Sequence, residues 1–407
     1  MKLVEPFTTW HPEFTAIRRD IHAHPELSYE EHRTADLVAG KLESWGIPVH
    51  RGLGVTGVVG TIQGRTPNGP SIGLRADMDA LPMSELNTFE HASKNPGKMH
   101  ACGHDGHTTM LLAAARYLAE HRDFDGTVYV IFQPAEEGDA GAQAMIDDGL
   151  FKLFPMNAVF GMHNWPGIPA GQFAVVPGPI MASSNVFKIH IKGKGAHAAM
   201  PHLGNDPVMA AVQLAQSLQT VVARNSDPID PVVVSITQIH SGSADNVIPN
   251  EAELRGTVRT FSIEALDLVE RRMAEITEHT CRALNCESDF TFQRSYPPTI
   301  NDVAQTDFCK QVITDIVGAD NLDTDIKPSM GAEDFAFMLQ EVPGCYVWIG
   351  NGQGEHRDPG HGMGPCMLHN GSYDFNDSII PLGATYWVQL ATKWLAQHGH
   401  LTPPAQA

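Results

Sequence analysis

The 407-residue sequence predicts an α/β protein: a mixed, largely parallel sheet, interrupted by a smaller βαββαβ domain. Two observations carry this reading. In the first and last parts of the chain, short β-like runs alternate with helix-like stretches, the rhythm of a parallel sheet covered by helices. In the middle the order becomes strand, helix, two strands, helix, strand, the split βαβ arrangement of a compact unit. The expected division is residues 1–183 and 296–407 for the larger domain and 184–295 for the insertion.

The elements follow in order. From Phe14 to Ile21, apolar and charged residues recur at helical spacing. Ser28-Tyr29-Glu30-Glu31 has the form of a capping box, with Ser28 as N-cap and Glu31 reaching back, and Gly46 is placed to end that helix. Strands are expected at 55–62, 71–75, 127–132 and 158–162, with a helix starting near His104 and carrying 110–118. The middle supplies strands at 186–191, 232–239, 253–261 and 288–292, with helices at 206–223 and 263–284. After Pro297 come a helix at 302–316, a short helix at 334–339, a strand at 345–349 and a long helix at 379–397. The Pro/Ala-rich end after Leu401 is expected to fray.

With 27 Lys/Arg against 47 Asp/Glu, the net charge is −20. That argues against nucleic acid and anionic membrane surfaces as partners, since both need a basic face. No apolar run approaches the ~18 residues of a membrane-spanning helix. No export signal is visible at the start, so reduced thiols and a cytoplasmic setting are expected for the six cysteines. The 21 histidines are about twice the ordinary share, and several sit near Cys and Glu.

Three segments place such residues just past predicted strands, where open α/β sheets bind ligands. In His100-Ala101-Cys102-Gly103-His104-Asp105-Gly106-His107, Cys102 and His104 flank a glycine. A thiolate and an imidazole suit a borderline-soft transition metal, although a buried Cys beside capping histidines reads equally well. In Gln133-Pro134-Ala135-Glu136-Glu137-Gly138, adjacent carboxylates after a strand can diverge, one toward a metal and one toward a water. In Gly161-Met162-His163-Asn164-Trp165, His163 repeats the strand-end placement. His369, ahead of the last long helix, is a weak candidate when taken alone. One thiolate, three imidazoles and one or two carboxylates exceed one tetrahedral zinc with an open position and suit two ions sharing a water. A single ion with spectator histidines stays open.

These motifs, with Arg18-Arg19-Asp20-Ile21-His22-Ala23-His24-Pro25-Glu26-Leu27, Leu74-Arg75-Ala76-Asp77-Met78-Asp79-Ala80-Leu81-Pro82, Gly195-Ala196-His197-Ala198-Ala199-Met200-Pro201-His202 and Met330-Gly331-Ala332-Glu333-Asp334-Phe335, form an ordered series along the chain. The sequence resembles the M20 metallopeptidase family, in its amidohydrolase branch of hippurate hydrolases, N-acyl-amino-acid amidohydrolases and auxin-conjugate hydrolases. The resemblance implies a zinc-peptidase-like α/β catalytic domain interrupted by a ferredoxin-like lid that often forms a homodimer contact. It implies Cys102, His104, Glu137, His163 and His369 as ligands of two divalent ions, Zn2+ or Mn2+ with Co2+ or Ni2+ as other choices. It implies Glu136 as general base, Asp79 as a residue orienting an imidazole ligand, His197 as an oxyanion donor from the lid, and Asn246 as a lid residue near substrate. Asp77 stands where the wider family has a His, and Cys102 where it has a bridging Asp, which leaves the preferred metal open. The implied activity is hydrolysis of N-acyl amino acids. The alternatives are a dipeptidase or aminopeptidase on the same scaffold, and a catalytically silent metal-binding protein.

Overall fold

The computed structural model describes residues 1–66, 68–357, 359–402 and 404, so most of the end expected to fray lies outside the described residues. The chain separates into two compact units. The first comprises Met1–Ile180, Ile300–Lys327 and Asp334–Ala407; the second comprises Met181–Thr299 and Pro328–Glu333.

The first unit is built on an eight-stranded mixed sheet. Its spatial order is Val49–Leu53, Gly57–Gln63, Thr127–Gln133, Ser71–Asp77, Ala158–Pro166, Gly344–Gly352, Phe173–Ala174 and Leu322–Asp323. The four central strands run parallel. Ser71–Asp77 and Gly344–Gly352 are buried throughout, as expected of strands covered on both faces. Their register sets Asp77 opposite Gln133, and His163 opposite Trp348. The carboxyl ends of these strands therefore share one edge, and the candidate residues follow from there.

The helix His104–Glu120 is buried at every position from His104 to Ala115. An apolar run on all sides fits a helix enclosed in the core, and it packs against the helices Phe7–Ala23 and Ile380–Gln397 as well as the sheet. Its first residue, a candidate ligand, is thereby fixed by core packing. Among the described residues, no helix is long and apolar enough to cross a membrane. All six cysteines are free and buried.

The second unit holds a four-stranded antiparallel sheet in the order Val232–Ser241, Glu251–Thr260, Ser184–Lys192, Glu287–Tyr296. The helices Pro207–Thr220 and Ile263–Ala283 complete the βαββαβ series. Alternating burial along Ser184–Lys192 sends Phe187, Ile189 and Ile191 into a core shared with Leu214, Leu218, Val269 and Met273. Asp206 and Ser262 cap the two helices by accepting backbone N–H groups, from Val208 and Ala265 respectively. The helix expected over 206–223 ends at Thr220, and Val221–Asn225 continues as one wider π turn.

The capping box is a correction. The helix begins at His32, and neither Ser28 nor Glu31 plays the expected part. Glu26 supplies the cap instead: its carboxylate accepts the N–H groups of Arg33 and Thr34 at 2.9 Å and the Thr34 hydroxyl at 3.0 Å. Ser28 turns away, its hydroxyl 3.4 Å from Asp79. Glu31 is fully buried and accepts from the Thr56 hydroxyl at 2.6 Å and the Ala135 N–H at 2.9 Å. A three-residue spacing matched the motif, but a second carboxylate two residues earlier reached the free N–H groups first. Glu26→Ala is expected to cost ~1–2 kcal/mol in chemical denaturation, the range of a lost cap, against less than ~0.5 kcal/mol for Ser28→Ala. The reverse ranking would contradict this assignment.

Candidate metal centre

The turn Ala101–Cys102–Gly103 delivers two candidates at once. Cys102 and His104 are both buried, and Gly103 between them has φ +96°. A Cβ at Gly103 would stand 2.2 Å from Asn164 Nδ2 and 2.5 Å from the Tyr373 hydroxyl, so only glycine fits. His163 comes from the strand Ala158–Pro166, with Nε2 3.4 Å from Cys102 Sγ. Its Nδ1 donates to the Asn164 carbonyl at 2.5 Å, which leaves Nε2 bare and turned toward the thiol.

Glu136 and Glu137 leave the strand Thr127–Gln133 through Ala135, which has φ 54°. That left-handed conformation costs ~1–3 kcal/mol for a residue with a Cβ and is held by the Ala135 N–H bond to Glu31. Glu136 is only 6% exposed. The Glu137 N–H donates to Asp79 Oδ2 at 2.9 Å, and His104 Nδ1 lies 3.2 Å from Asp79 Oδ1. Asp79 thus holds one histidine and one glutamate of the cluster together. His369 is also left-handed, φ 58°, and its N–H is tied to the Ala101 carbonyl at 2.8 Å. Its Nε2 lies 3.1 Å from Glu137 Oε1. The His369 side chain is 55% exposed, which marks the open side of the pocket.

Donor atoms of Cys102, His104 and His163 lie within 4.8 Å of one another; so do those of Cys102, Glu137 and His369, and those of His104, Glu136 and Glu137. The first unit therefore brings together Cys102, His104, Glu136, Glu137, His163, His369 and Asp79. His197 and Asn246 belong to the second unit. His197 lies on the short strand Ala196–His197, opposite Val247, and the Asn246 carbonyl accepts the Ala198 N–H. Both side chains face solvent within that unit's own surface.

The electrostatics of the cluster call for added positive charge. Burial pulls the His104 imidazole down, but Asp77, Asp79 and Glu137 outweigh it and raise its pKa to about 10. Burial pushes the Cys102 thiol well above its usual range, and Glu137 and Glu136 add to that. Burial also drives His163 well below the usual imidazole range, aided by His107. His104 Nε2 is buried with no hydrogen-bond partner among the described residues, and it faces Asp77 Oδ2 at 3.7 Å and Glu137 Oε1 at 4.0 Å. An orphaned nitrogen among carboxylates, beside a thiol and a second bare imidazole nitrogen, is a donor set that fits transition-metal ions.

Several residues that the sequence reading gave no supporting role hold the cluster in place. Asp77 accepts from Arg75 at 2.8 Å and from His107 at 2.6 Å. Burial raises this carboxyl, but His104, His107 and Arg75 hold it well below the usual range. Farther back, the fully buried Arg18 bonds Asp105, Asp374 and Asp377 at 3.3, 2.9 and 2.7 Å. His22 sits between Asp105 and Glu85; burial opposes its charge, but those two carboxylates lift its pKa to about 10. This network ties the start of the His104 helix to the segment that follows His369. The buried Arg and His in the N-terminal motif were the available signal.

Because Cys102 and His104 both hold protons when no cation is present, metal uptake must release them. Affinity is expected to rise with pH, and Zn2+ addition in weak buffer with a pH indicator should liberate protons between about pH 6 and about pH 8. Uptake that is independent of pH, with no proton release, would contradict the assignment of these two residues.

Residues 73–393 match the model of Peptidase family M20/M25/M40. The chain is 40% identical to IAA-amino acid hydrolase ILR1-like 4 of Arabidopsis thaliana over 94% of this chain and 85% of that protein. It is 39% identical to hippurate hydrolase of Campylobacter jejuni over 97% of this chain and 100% of that protein. Among solved structures, the Bacillus subtilis YxeP protein, described as a dinuclear metal binding peptidase from the M20 family, superposes with TM-score 0.82 at 34% identity, covering 96% of this chain and 99% of that one. The chain belongs to Peptidase family M20/M25/M40.

Proposed function

We propose that this protein is a metal-dependent amidohydrolase that cleaves N-acyl amino acids to a carboxylic acid and a free amino acid. The observation that carries this is the convergence of Cys102, His104, Glu137, His163 and His369, with Glu136 buried beside them, in one carboxylate-rich pocket. The relatives named for hippurate and for IAA-amino acids, each alike over most of the chain, support the substrate class.

The five residues would hold two divalent ions, with Cys102 common to two of the donor groups. Zn2+ and Mn2+ are the first choices, Co2+ and Ni2+ the next, given one thiolate among imidazoles and carboxylate. When bound, such ions supply Lewis-acid polarisation of a carbonyl and a water acidic enough to ionise near neutrality. Glu136 takes the proton from the attacking water as its oxygen bonds to the amide carbon. The carbonyl π electrons move to oxygen, and His197 donates a hydrogen bond to that oxyanion. Glu136 then returns its proton to the leaving nitrogen as the C–N bond breaks. Asp79 keeps His104 oriented with Nε2 toward the ions, and Asn246 is assigned to the substrate side of the second unit. That unit serves as lid and as the contact of a homodimer, a state that light scattering across concentrations reads directly. The setting is cytoplasmic, and the substrate is a small soluble molecule.

Glu136→Gln should leave metal content unchanged while turnover of hippurate and N-acetyl amino acids falls ~10²–10⁴-fold, the usual contribution of a general base. Turnover within ~10-fold of the parent, with metal retained, would remove Glu136 from this role. The parent should hydrolyse N-acyl amino acids in preference to free dipeptides; the opposite preference would favour a dipeptidase. A metal-loaded protein inert on both would be a binding protein.

A further inference from the structure

Asn164 follows His163 on the strand Ala158–Pro166 and is fully buried. A buried asparagine needs partners wherever it sits. What singles this one out is where its bonds end. Its carbonyl accepts from His163 Nδ1 at 2.5 Å. Its side-chain Nδ2 donates to the Cys102 carbonyl at 2.7 Å. Its backbone N–H donates to His107 Nε2 at 2.9 Å, and His107 Nδ1 in turn donates to Asp77 at 2.6 Å. Its Oδ1 accepts from the Tyr373 hydroxyl at 2.7 Å, with Tyr373 itself fully buried four residues beyond His369.

We propose that Asn164 is a positioning residue of the metal centre: it clamps the Cys102–Gly103–His104 turn onto the strand bearing His163 and fixes the orientation of both side chains. The inference rests on Cys102 and His163 being ligands. The chemistry at the position is specific to an amide. The Cys102 carbonyl can only accept, so a nitrogen must face it; the Tyr373 hydroxyl then meets the oxygen. Aspartate would set a carboxylate oxygen against the Cys102 carbonyl, and alanine would leave that carbonyl and the Tyr373 hydroxyl buried and unpaired. Gly103 records the same constraint from the other side, since any side chain there would occupy the space of the Asn164 amide and the Tyr373 hydroxyl. Tyr373 extends the clamp to the segment of His369, so one residue reaches the surroundings of three candidate ligands, those of Cys102 and His369 through its side-chain amide and His163 through its backbone carbonyl.

The test uses the full-length protein, stripped of metal and reloaded with Co2+, whose thiolate charge-transfer absorption reports the Cys102 bond. Cobalt affinity, that absorption and the thermal unfolding of the metal-free protein are measured for the parent, Asn164→Ala, Asn164→Asp, Tyr373→Phe and Cys102→Ser. Asn164→Ala and Asn164→Asp should bind Co2+ ~10–100-fold more weakly, the cost of losing a partner behind a metal ligand, with a shifted or weakened thiolate band. Tyr373→Phe keeps the amide and should lose about 3–10-fold, a fraction of that cost. Affinity within about 3-fold of the parent and an unchanged band in the Asn164 variants would overturn the proposal, whatever their melting temperatures. If the Asn164 variants do not fold, an unchanged affinity and band in Tyr373→Phe overturns it, and a weakened, shifted one supports it. A parent without a thiolate band, or a Cys102→Ser variant that keeps it, would instead bring down the ligand assignment on which the proposal stands.

Discussion

Four carboxylates, Asp77, Asp79, Glu136 and Glu137, are gathered at one edge of a parallel sheet, three of them buried and Glu137 nearly so. In a medium of low polarity, like charges at such spacing cannot all persist without cations among them. Asp77 has Arg75 and His107, and Asp79 has the His104 ring and the Glu137 N–H. His104 Nε2, which faces Glu137 Oε1 at 4.0 Å, has no hydrogen-bond partner among the described residues. Without metal, the proton on His104 supplies positive charge, and burial beside carboxylates keeps the Cys102 thiol neutral. The unit is thus a folded frame around a deficit of positive charge, a deficit that the divalent ions proposed for these donors would meet more completely than protons do.

The rest of the first unit is legible as what it takes to hold that arrangement. Parallel register puts the strand ends side by side. The buried helix fixes His104 at its first position. Two left-handed residues, Ala135 and His369, turn the glutamates and the last histidine inward, each with its N–H bonded to a distant segment. Such conformations cost ~1–3 kcal/mol each and persist only where the surroundings determine them. The large buried core pays that cost, and the Arg18 network keeps the two halves of the cluster from parting.

Much of this was readable from the sequence because it is local. Alternating strand and helix patterns located the four central parallel strands to within a few residues, and the Cys102/His104 and Glu136/Glu137 segments announced themselves by residue type at strand ends. His369 did not: its neighbours Leu368 and Asn370 give no metal signal, and it is tied to the cluster by the Ala101 carbonyl, 268 positions away along the chain, and by Glu137. The capping box failed for a related reason. Ser28 and Glu31 have the right spacing, but Glu31 is claimed by Thr56 and Ala135, which local sequence cannot foresee. Asn164, His107 and Tyr373 form bonds spanning 57 to 209 positions, so their part emerges only when the segments meet.

The most direct test of the central claim is anomalous diffraction from crystals of the zinc- or manganese-reconstituted protein. The proposed ligand set predicts two peaks in the pocket, together bonded to donor atoms of Cys102, His104, Glu137, His163 and His369, with Cys102 Sγ ~2.3 Å from zinc. A single peak, or ions bound elsewhere with Cys102 still a free thiol, would contradict it.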